Sequence, residues 1–333
     1  MTSNSSVLVL PQRSSGSSLH TSPVTAETWP ALPYEEWRAT RDTLHMYTQV
    51  VGKLRLALSP FEPGWANVPL YVTARGLTTS PVPVGLRTFD AEFDLFDHLL
   101  VIRTSDGQAE RLPLGGAVAD FYGGVMAALR RMQIEVAISE RPSEVANPIP
   151  FPDDRIHHAY DPAHATRFQR VLSMVDLVMK EHRAGFRGRT TPVHFFWGTF
   201  DLALTRYSGQ FVDPSRDAGV IARFGGGARQ LCAGWWPGDE RSPHPAFYFY
   251  AYPADARLSD LAIQPRGGAW SAEAGEFLLP YDTAREAPDP RRAILDFLDS
   301  TYRGAATMLG WSDDLTAFDT PAAAPLDTTR RTR

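Results

Sequence analysis

A proline-rich segment at residues 140–155 divides this sequence into two halves with the same predicted order of elements. The segment holds four prolines, which end regular helices and strands because proline has no backbone N–H to donate. On either side of it, the hydrophobic pattern predicts a long helix, then antiparallel strands, then another helix. We therefore predict an α+β fold of two related halves, each an antiparallel sheet with flanking helices. The matching order also suggests an internal duplication.

The first half, residues 29–145, begins with apolar residues that recur every three or four positions. This spacing predicts an amphipathic helix at 34–58 and a second helix at 117–132. Between the helices, alternation of apolar and polar residues predicts strands, and Asp106-Gly107 predicts a hairpin turn. The predicted strands are 68–75, 89–95, 99–104 and 108–114, with a last one at 134–138.

In the second half, residues 146–315, Asp161-Pro162 has the composition of a helix N-cap followed by the first helical position. The helix is predicted to extend to about residue 183, and a final helix spans 290–309. Strands are predicted at 193–200, 246–252 and 276–279. Residues 208–244 form an insertion that contains three consecutive glycines and no periodicity, so we expect an irregular hinge, lid or binding loop.

The two ends of the sequence, 1–28 and 316–333, lack hydrophobic periodicity and are predicted to be disordered tails. We find no signal peptide and no apolar run of the ~20 residues that a membrane helix needs, so we predict no membrane partner. A net charge of −5 argues against nucleic-acid binding. The single cysteine, Cys232, fits a reducing compartment, and we expect a cytoplasmic protein. The oligomeric state stays open.

Motifs for cofactors and metals give little support to a cofactor enzyme. The sequence has no dinucleotide fingerprint, no Walker loop and no Gly-x-Ser-x-Gly elbow, so no cofactor is predicted. One acidic and histidine-rich segment, 153–164, has side chains that bind metals. However, Asp161 is explained as a helix cap and the histidines lack the i, i+4 spacing of a zinc helix. We therefore predict no metal site.

The most informative candidate residues lie between 194 and 206. His194 and Asp201 are the predicted catalytic residues, since imidazole and carboxylate carry general acid–base chemistry. Trp197 supplies an aromatic wall, and Arg206 and Arg75 are expected to bind an anionic group across a cleft shared by the halves. The competing interpretation is a core histidine with a structural Asp–Arg pair that supports a tight turn.

His45 is a further candidate for ligand binding, on the first predicted helix. It belongs to a polar stripe with spacings of three and four, made by Arg38, Asp42, His45, Gln49 and Lys53. A solvated helix face with local ion pairs explains such a stripe equally well. The alternative is that His45, which has apolar neighbours, turns into a groove.

Two long stretches carry a resemblance to a known family: LPYEEWRATRDTLHMYTQVVGKLRLAL at 32–58 and TPVHFFWGTFDLALTRYSG at 191–209. With shorter stretches at 68–83, 245–253 and 275–282, they resemble a bacterial family of unknown function, the domain-of-unknown-function family 5996. The resemblance spans about 30 to 312 and implies no reaction, cofactor or substrate. It points to seven residues: His45, Arg75, His157, His194, Trp197, Asp201 and Arg206.

From these features we expect a small-molecule-binding protein for an anionic metabolite, with acid–base chemistry at His194 and Asp201 if it is an enzyme. The alternative is a non-catalytic protein-interaction module, in which Trp65, Trp235 and Trp236 present an aromatic surface. A deep cleft would favour the first function, and an exposed tryptophan patch would favour the second.

Overall fold

The computed structural model of the chain describes residues 29–214 and 216–315. Across these residues it contains six α-helices and two antiparallel six-stranded sheets, which confirms the α+β prediction. Both predicted tails lie outside the described residues. The helices are α1 (Tyr34–Leu58), α2 (Val118–Arg131), α3 (Pro162–Ala184), α4 (Val220–Gly225), α5 (Tyr281–Arg285) and α6 (Pro290–Met308).

The first sheet is antiparallel, and two of its short strands lie end to end along one edge of the same neighbouring strand. Its order is β1-β2-β4-β5-β6, and β3 also pairs with β4. The strands are β1 (Tyr71–Val72), β2 (Gly76–Thr78), β3 (Val82–Val84), β4 (Arg87–Asp94), β5 (Leu99–Thr104) and β6 (Ala109–Pro113). The predicted hairpin at Asp106-Gly107 joins β5 to β6, and Gly107 has the positive φ that such a turn requires.

The second sheet has the order β11-β12-β10-β9-β8-β7. Its strands are β7 (His194–Phe196), β8 (Asp201–Phe211), β9 (Ala228–Trp236), β10 (Ala246–Tyr252), β11 (Ala269–Ser271) and β12 (Glu276–Pro280). Each half thus begins with a long helix, continues into an antiparallel sheet and ends with a helix, as the sequence pattern indicates. The internal duplication itself stays a prediction.

Two of the long helices, α3 and α6, begin where an aspartate side chain satisfies free backbone N–H groups. The Asp161 carboxylate accepts hydrogen bonds from the backbone N–H groups of Ala163 and His164, and Pro162 occupies the first turn of α3. Asp289 accepts from the backbone N–H of Arg292 at the start of α6. The N-cap predicted at Asp161 is therefore confirmed.

The two faces of the second sheet differ. One face packs against α3 and α6, as shown by Phe168 of α3, whose ring centroid lies 6.3 Å from that of Trp235 on β9. We call this the helical face. Because side chains alternate along a strand, Gly234 and Cys232 project to the opposite side. We call that side the open face, and Tyr250 on it is 37% exposed.

The two sheets meet edge to edge. Leu70 and Phe195 exchange both backbone hydrogen bonds, each with an N···O distance of 2.9 Å. This bridge joins the start of the first sheet to β7, and one continuous hydrophobic core contains residues of both halves. The halves are thus packed as one body, with α1 between them.

Three local predictions are wrong. Residues 134–138 form no strand, because Gln133 adopts a positive φ at the end of α2 and the chain leaves the sheet. The 208–244 insertion is mostly regular, since β8 continues to Phe211 and α4 and β9 follow. The 193–200 strand ends at Phe196, and Phe200, with φ of 63°, closes a turn that makes Asp201 the first residue of β8.

Within residues 29–214 and 216–315, we find no helix with the length and apolar character needed to cross a membrane.

Candidate functional site

The open face of the second sheet carries a group of polar and aromatic side chains. Its register pairs β8 with β9 and β9 with β10, so that residues in the same row share one face. The rows place these side chains together: Asp201 and Thr205 of β8, Cys232 of β9, Tyr248 and Tyr250 of β10, and, continuing the alternation, Glu276 of β12. These side chains make the open face polar.

Asp201 is the centre of this group. It is only 7% exposed, and its two carboxylate oxygens accept hydrogen bonds from the hydroxyls of Thr199 and Tyr248. Both donors are neutral. Burial raises the pKa of Asp201 above its usual value, even though the two hydrogen bonds act in the opposite direction.

Tyr248 reaches Asp201 because the strand between them carries a glycine. A Cβ atom at Gly234 would lie 2.2 Å from Cζ and from the hydroxyl oxygen of Tyr248. The phenol therefore crosses β9 at a place where only a hydrogen side chain fits. Burial and the nearby Asp201 charge raise the pKa of Tyr248 well above its usual value, so it stays a hydrogen-bond donor.

Two more carboxylates lie near Asp201. Burial and the charge of Asp201 raise the pKa of Glu276 to about 7, where a carboxyl can both release and accept a proton near neutral pH. Glu144, from the 140–155 connection, also has a raised pKa for the same two reasons. Its carboxylate lies against Gly198, where a Cβ atom would come within 2.1 Å of Oε2. The surface is thus acidic.

Cys232 is buried beside these groups. Its sulfur lies 3.5 Å from the Thr205 hydroxyl, and burial raises the pKa of the thiol. A protonated thiol is a poor nucleophile, so the structure gives Cys232 a packing role on this face.

One side of α1 turns toward the same region. His45 Nε2 donates to the Gly198 carbonyl oxygen at 2.9 Å, and Gln49 and Lys53 bind Ser143 of the connection. All three α1 side chains are buried, with exposures of 6%, 0% and 3%. Burial and the charge of Arg41 lower the pKa of His45 to about 3, so its ring is neutral. The sequence allows two interpretations of the polar stripe, a solvated face or a face turned into a groove. For His45, Gln49 and Lys53 the second interpretation applies.

Trp197 links α1 to the turn before β8. Its indole N–H donates to the Val68 carbonyl oxygen at 2.9 Å, and the Lys53 ammonium lies 5.6 Å from its ring centroid. The ring lies directly against Gly52, where a Cβ atom would be 2.1 Å from Cδ1. Trp197 therefore connects the halves and forms one wall around Lys53.

His194 lies on the open face, paired with Ala203 of β8, but it is covered by the first half. It is 2% exposed, and neither ring nitrogen has a hydrogen-bond partner among the described residues. The rings of Tyr71 and Phe196 are 5.6 and 5.5 Å away. Burial, together with the positive charge of Arg55, lowers the pKa of His194 to about 4. The imidazole is neutral and enclosed.

The two candidate arginines lie elsewhere. Arg206 projects to the helical face, where its guanidinium stacks 4.2 Å from the Tyr302 ring centroid and donates to the His182 carbonyl oxygen. Arg75, in the connection between β1 and β2, forms ion pairs with Asp94 and Asp97. The structure therefore brings together His194 and Asp201 on one face, with Trp197 and His45 beside the adjoining turn. It does not place Arg75 or Arg206 on that surface.

His157, which the family resemblance indicates, has a local role. Its Nδ1 lies 2.7 Å from the buried carboxylate of Asp154, and its carbonyl oxygen accepts from the backbone N–H of Val118. These contacts fix the connection to the start of α2. In the described residues, no group of three or more His, Cys, Asp or Glu side chains is arranged to hold a metal ion.

Tyr248 and Ser143 were absent from the sequence candidates. The alternating run AFYFYAY places Tyr248, Tyr250 and Tyr252 on one face, which is a signal that the strand prediction already contained. Ser143 has no such local signal, because its partners Gln49 and Lys53 are about 90 positions away in the chain.

A separate apolar patch lies where α4 packs on the short 3₁₀ turn Pro63–Trp65. It exposes Phe61 (54%), Val220 (58%), Ile221 (50%) and Phe224 (45%). The Trp65 indole is half-buried and donates to the Ile221 carbonyl oxygen. Trp236 is also half-buried, whereas Trp235 is fully buried on the helical face.

Comparison with known proteins gives a family and no characterised relative. A family model described as a family of unknown function, DUF5996, matches residues 29–317. No curated protein and no solved structure matches the chain. The match covers every element described above, and the chain belongs to the DUF5996 family.

Proposed function

We propose that this protein binds a small molecule on the open face of the second sheet, with Asp201 as the central ligand-binding group. A buried carboxylate costs several kcal/mol unless a cation or a set of donors compensates it. Asp201 is held by two neutral hydroxyls and forms no ion pair among the described residues. The absence of a cationic partner at this buried carboxylate is the observation that carries the proposal, because groups whose pKa is perturbed by burial are concentrated at functional sites.

The charge of the surface indicates the class of ligand. Asp201, Glu144 and Glu276 are all acidic, and the arginines from which we expected an anionic ligand lie on other surfaces. A ligand that carries an amine or several hydroxyl groups satisfies these carboxylates, whereas a phosphate or carboxylate is repelled. Glu276, with its pKa of about 7, is the acid–base group of the site.

A thermal-shift screen tests this proposal, because a ligand that binds only the folded state raises the melting temperature. We expect amines or polyhydroxylated compounds to stabilise the protein and anionic metabolites to have no effect. Asp201→Asn is expected to abolish the shift. Asp260→Asn, at an exposed site in a separate 3₁₀ turn, is the matched control and should keep it.

The proposal fails if anionic compounds alone give a shift, or if Asp201→Asn responds like the parent protein. If Asp201→Asn is too unstable to melt cooperatively, Glu276→Gln, on β12, provides the same comparison. If both variants keep the thermal shift, the ligand binds another surface.

The exposed apolar patch favours a second function, self-association or another protein contact. Phe61, Trp65 and Phe224 form a cluster in which the Phe61 and Phe224 ring centroids are 5.5 Å apart. We expect sedimentation velocity to show a concentration-dependent dimer that Phe224→Ser removes. Leu86→Ser, at a fully exposed turn residue outside the patch, is the control. A monomer at every concentration would exclude self-association through this patch.

A further inference from the structure

We propose that Ser143 is a nucleophile and Lys53 its general base, and that this pair cleaves the acyl bond of an ester or amide. Lys53 Nζ lies 2.9 Å from the Ser143 hydroxyl oxygen. The distance is that of a direct hydrogen bond, which a nucleophile and its base must share. Serine–lysine pairs of this kind occur as variants of the serine–histidine–aspartate arrangement.

The surroundings of Lys53 favour the neutral amine that a base requires. Its side chain is 3% exposed and forms no ion pair with any carboxylate of the described residues. Its neighbours are the Ser143 hydroxyl and the face of the Trp197 ring. Burial lowers the pKa of Lys53, because no negative charge compensates the desolvated ammonium. The amine lone pair is then directed at the serine proton.

Ser143 is fixed in position by the amide of Gln49. Its backbone N–H donates to Gln49 Oε1 at 2.8 Å, and its carbonyl oxygen accepts from Gln49 Nε2 at 2.7 Å. Gln49 is fully buried, so the clamp is rigid. Ser143 itself is half-buried and therefore reachable by a ligand. The next residue, Glu144, has φ of 56°, a conformation that costs a non-glycine residue free energy and that recurs at active sites.

The reaction conserves atoms and charge. The Ser143 oxygen forms a bond to the carbonyl carbon of the substrate, and its proton moves to Lys53 Nζ. The bond from that carbon to the leaving oxygen or nitrogen then breaks, and Lys53 returns the proton to the leaving alcohol or amine. Water next attacks the acyl-serine and gives one proton to Lys53, which passes it to the serine oxygen as the carboxylic acid departs.

The site lies next to the proposed ligand surface. Glu144, which follows Ser143, contacts Gly198 and feels the charge of Asp201. The substrate class, an uncharged or amine-bearing acyl compound, rests on the proposed function. The nucleophile does not, because it can be labelled without any knowledge of the natural ligand.

An uncharged fluorophosphonate probe tests the pair in the full-length protein, with the label located by peptide mass spectrometry. We expect a single adduct on Ser143, and hydrolysis of 4-nitrophenyl acetate with the same pH dependence as labelling. Ser143→Ala should lose both. Lys53→Met should slow labelling at least tenfold, while Lys180→Met, at the only other lysine, leaves the rate unchanged.

The variant Lys53→Arg distinguishes a general base from a residue that only holds Ser143 in place. Arginine keeps the positive charge and donates to Ser143, but it stays protonated and cannot accept the serine proton. We expect this variant to melt near the parent temperature and to label as slowly as Lys53→Met. The proposal is overturned if the parent protein takes no label at Ser143, or if Lys53→Arg labels at the parent rate. Thermal shifts with amine ligands would be unaffected by either result, so the two proposals fail separately.

Discussion

Tyr248 on β10 crosses Gly234 of β9 and donates its phenol hydroxyl to Asp201 on β8. This contact ties three adjacent strands together above the sheet. It also gives a buried carboxylate a neutral donor in a place where an arginine or lysine side chain would otherwise be needed. The geometry of the open face therefore depends on a residue that has no side chain.

Replacement of Gly234 by alanine is expected to destabilise the protein by about 1–3 kcal/mol, as overpacking commonly does. The new Cβ would lie 2.2 Å from the Tyr248 hydroxyl oxygen and 2.3 Å from the Leu202 carbonyl oxygen. Urea unfolding measures the change. Gly227→Ala, where a Cβ atom meets nothing within 4 Å, is the control and should stay within about 0.5 kcal/mol of the parent. Equal stabilities of the two variants would show that the Tyr248 ring is not held over position 234.

Glu276→Gln is expected to stabilise the protein at pH 8 and to leave its stability unchanged at pH 4. The pKa of about 7 in the folded state lies above the ordinary 4.5, so the folded protein holds this proton more tightly than the unfolded chain. The contribution of Glu276 to the free energy of unfolding is therefore complete below pH 4.5 and is lost as the pH rises through 7. Glutamine carries no charge and avoids that loss.

Chemical denaturation at the two pH values measures this effect. Glu273→Gln, on the exposed turn between β11 and β12, removes the same charge without the burial and serves as the control. A gain for Glu276→Gln that is equal at pH 4 and pH 8 would contradict the raised pKa.

His194→Phe is expected to protect the protein against mild acid. The pKa of about 4 in the folded state lies below the ordinary 6.5, so the unfolded chain binds this proton more tightly. The free energy of unfolding therefore falls as the pH drops from 6.5 to 4, and at pH 5 the loss amounts to about 2 kcal/mol. Phenylalanine has no proton to bind and suits the aromatic contacts with Tyr71 and Phe196.

The measurement is the free energy of unfolding at pH 5 and pH 8 for His194→Phe and for His158→Phe, at an exposed histidine. Only His194→Phe should gain more stability at pH 5 than at pH 8. An identical pH dependence of the unfolding free energy in His194→Phe and the parent protein would mean that folding does not lower the pKa of this imidazole.

The features that the sequence predicts well are local ones. The Asp161-Pro162 cap, the periodicity of α1 and the alternation of β10 each depend on residues a few positions apart. β9 was missed because three glycines precede it, although β8 and β10 both offer it a strand partner. Long-range pairs give no such signal: Asp201 with Tyr248, and Lys53 with Ser143, come from segments that only the tertiary fold brings together.

The difference between local and long-range signals also explains why Arg206 lies away from the candidate site. Arg206 and Asp201 are five residues apart, so they project from opposite faces of one strand, and the Asp–Arg pair considered from the sequence does not form. For His45 the local pattern and the structure also differ. Its helical stripe is typical of a solvated face, but the tertiary fold buries it. His45 contacts Gly198 in the turn before β8, and Gln49 and Lys53 contact Ser143 of the 140–155 connection.

Two glycines inside helices provide the last prediction, because the same substitution is expected to have opposite effects. Alanine stabilises an open helix position by about 0.5–1 kcal/mol relative to glycine. Gly123 of α2 has nothing within 4 Å of a Cβ atom, so Gly123→Ala should gain that amount. At Gly52 of α1 the Cβ atom would lie 2.1 Å from the Trp197 ring, and Gly52→Ala should lose about 1–3 kcal/mol. Urea unfolding gives both signs, and tryptophan fluorescence should change for Gly52→Ala alone. A gain in both variants would mean that Trp197 does not pack on α1, and the wall around Lys53 would have to be assigned to other residues.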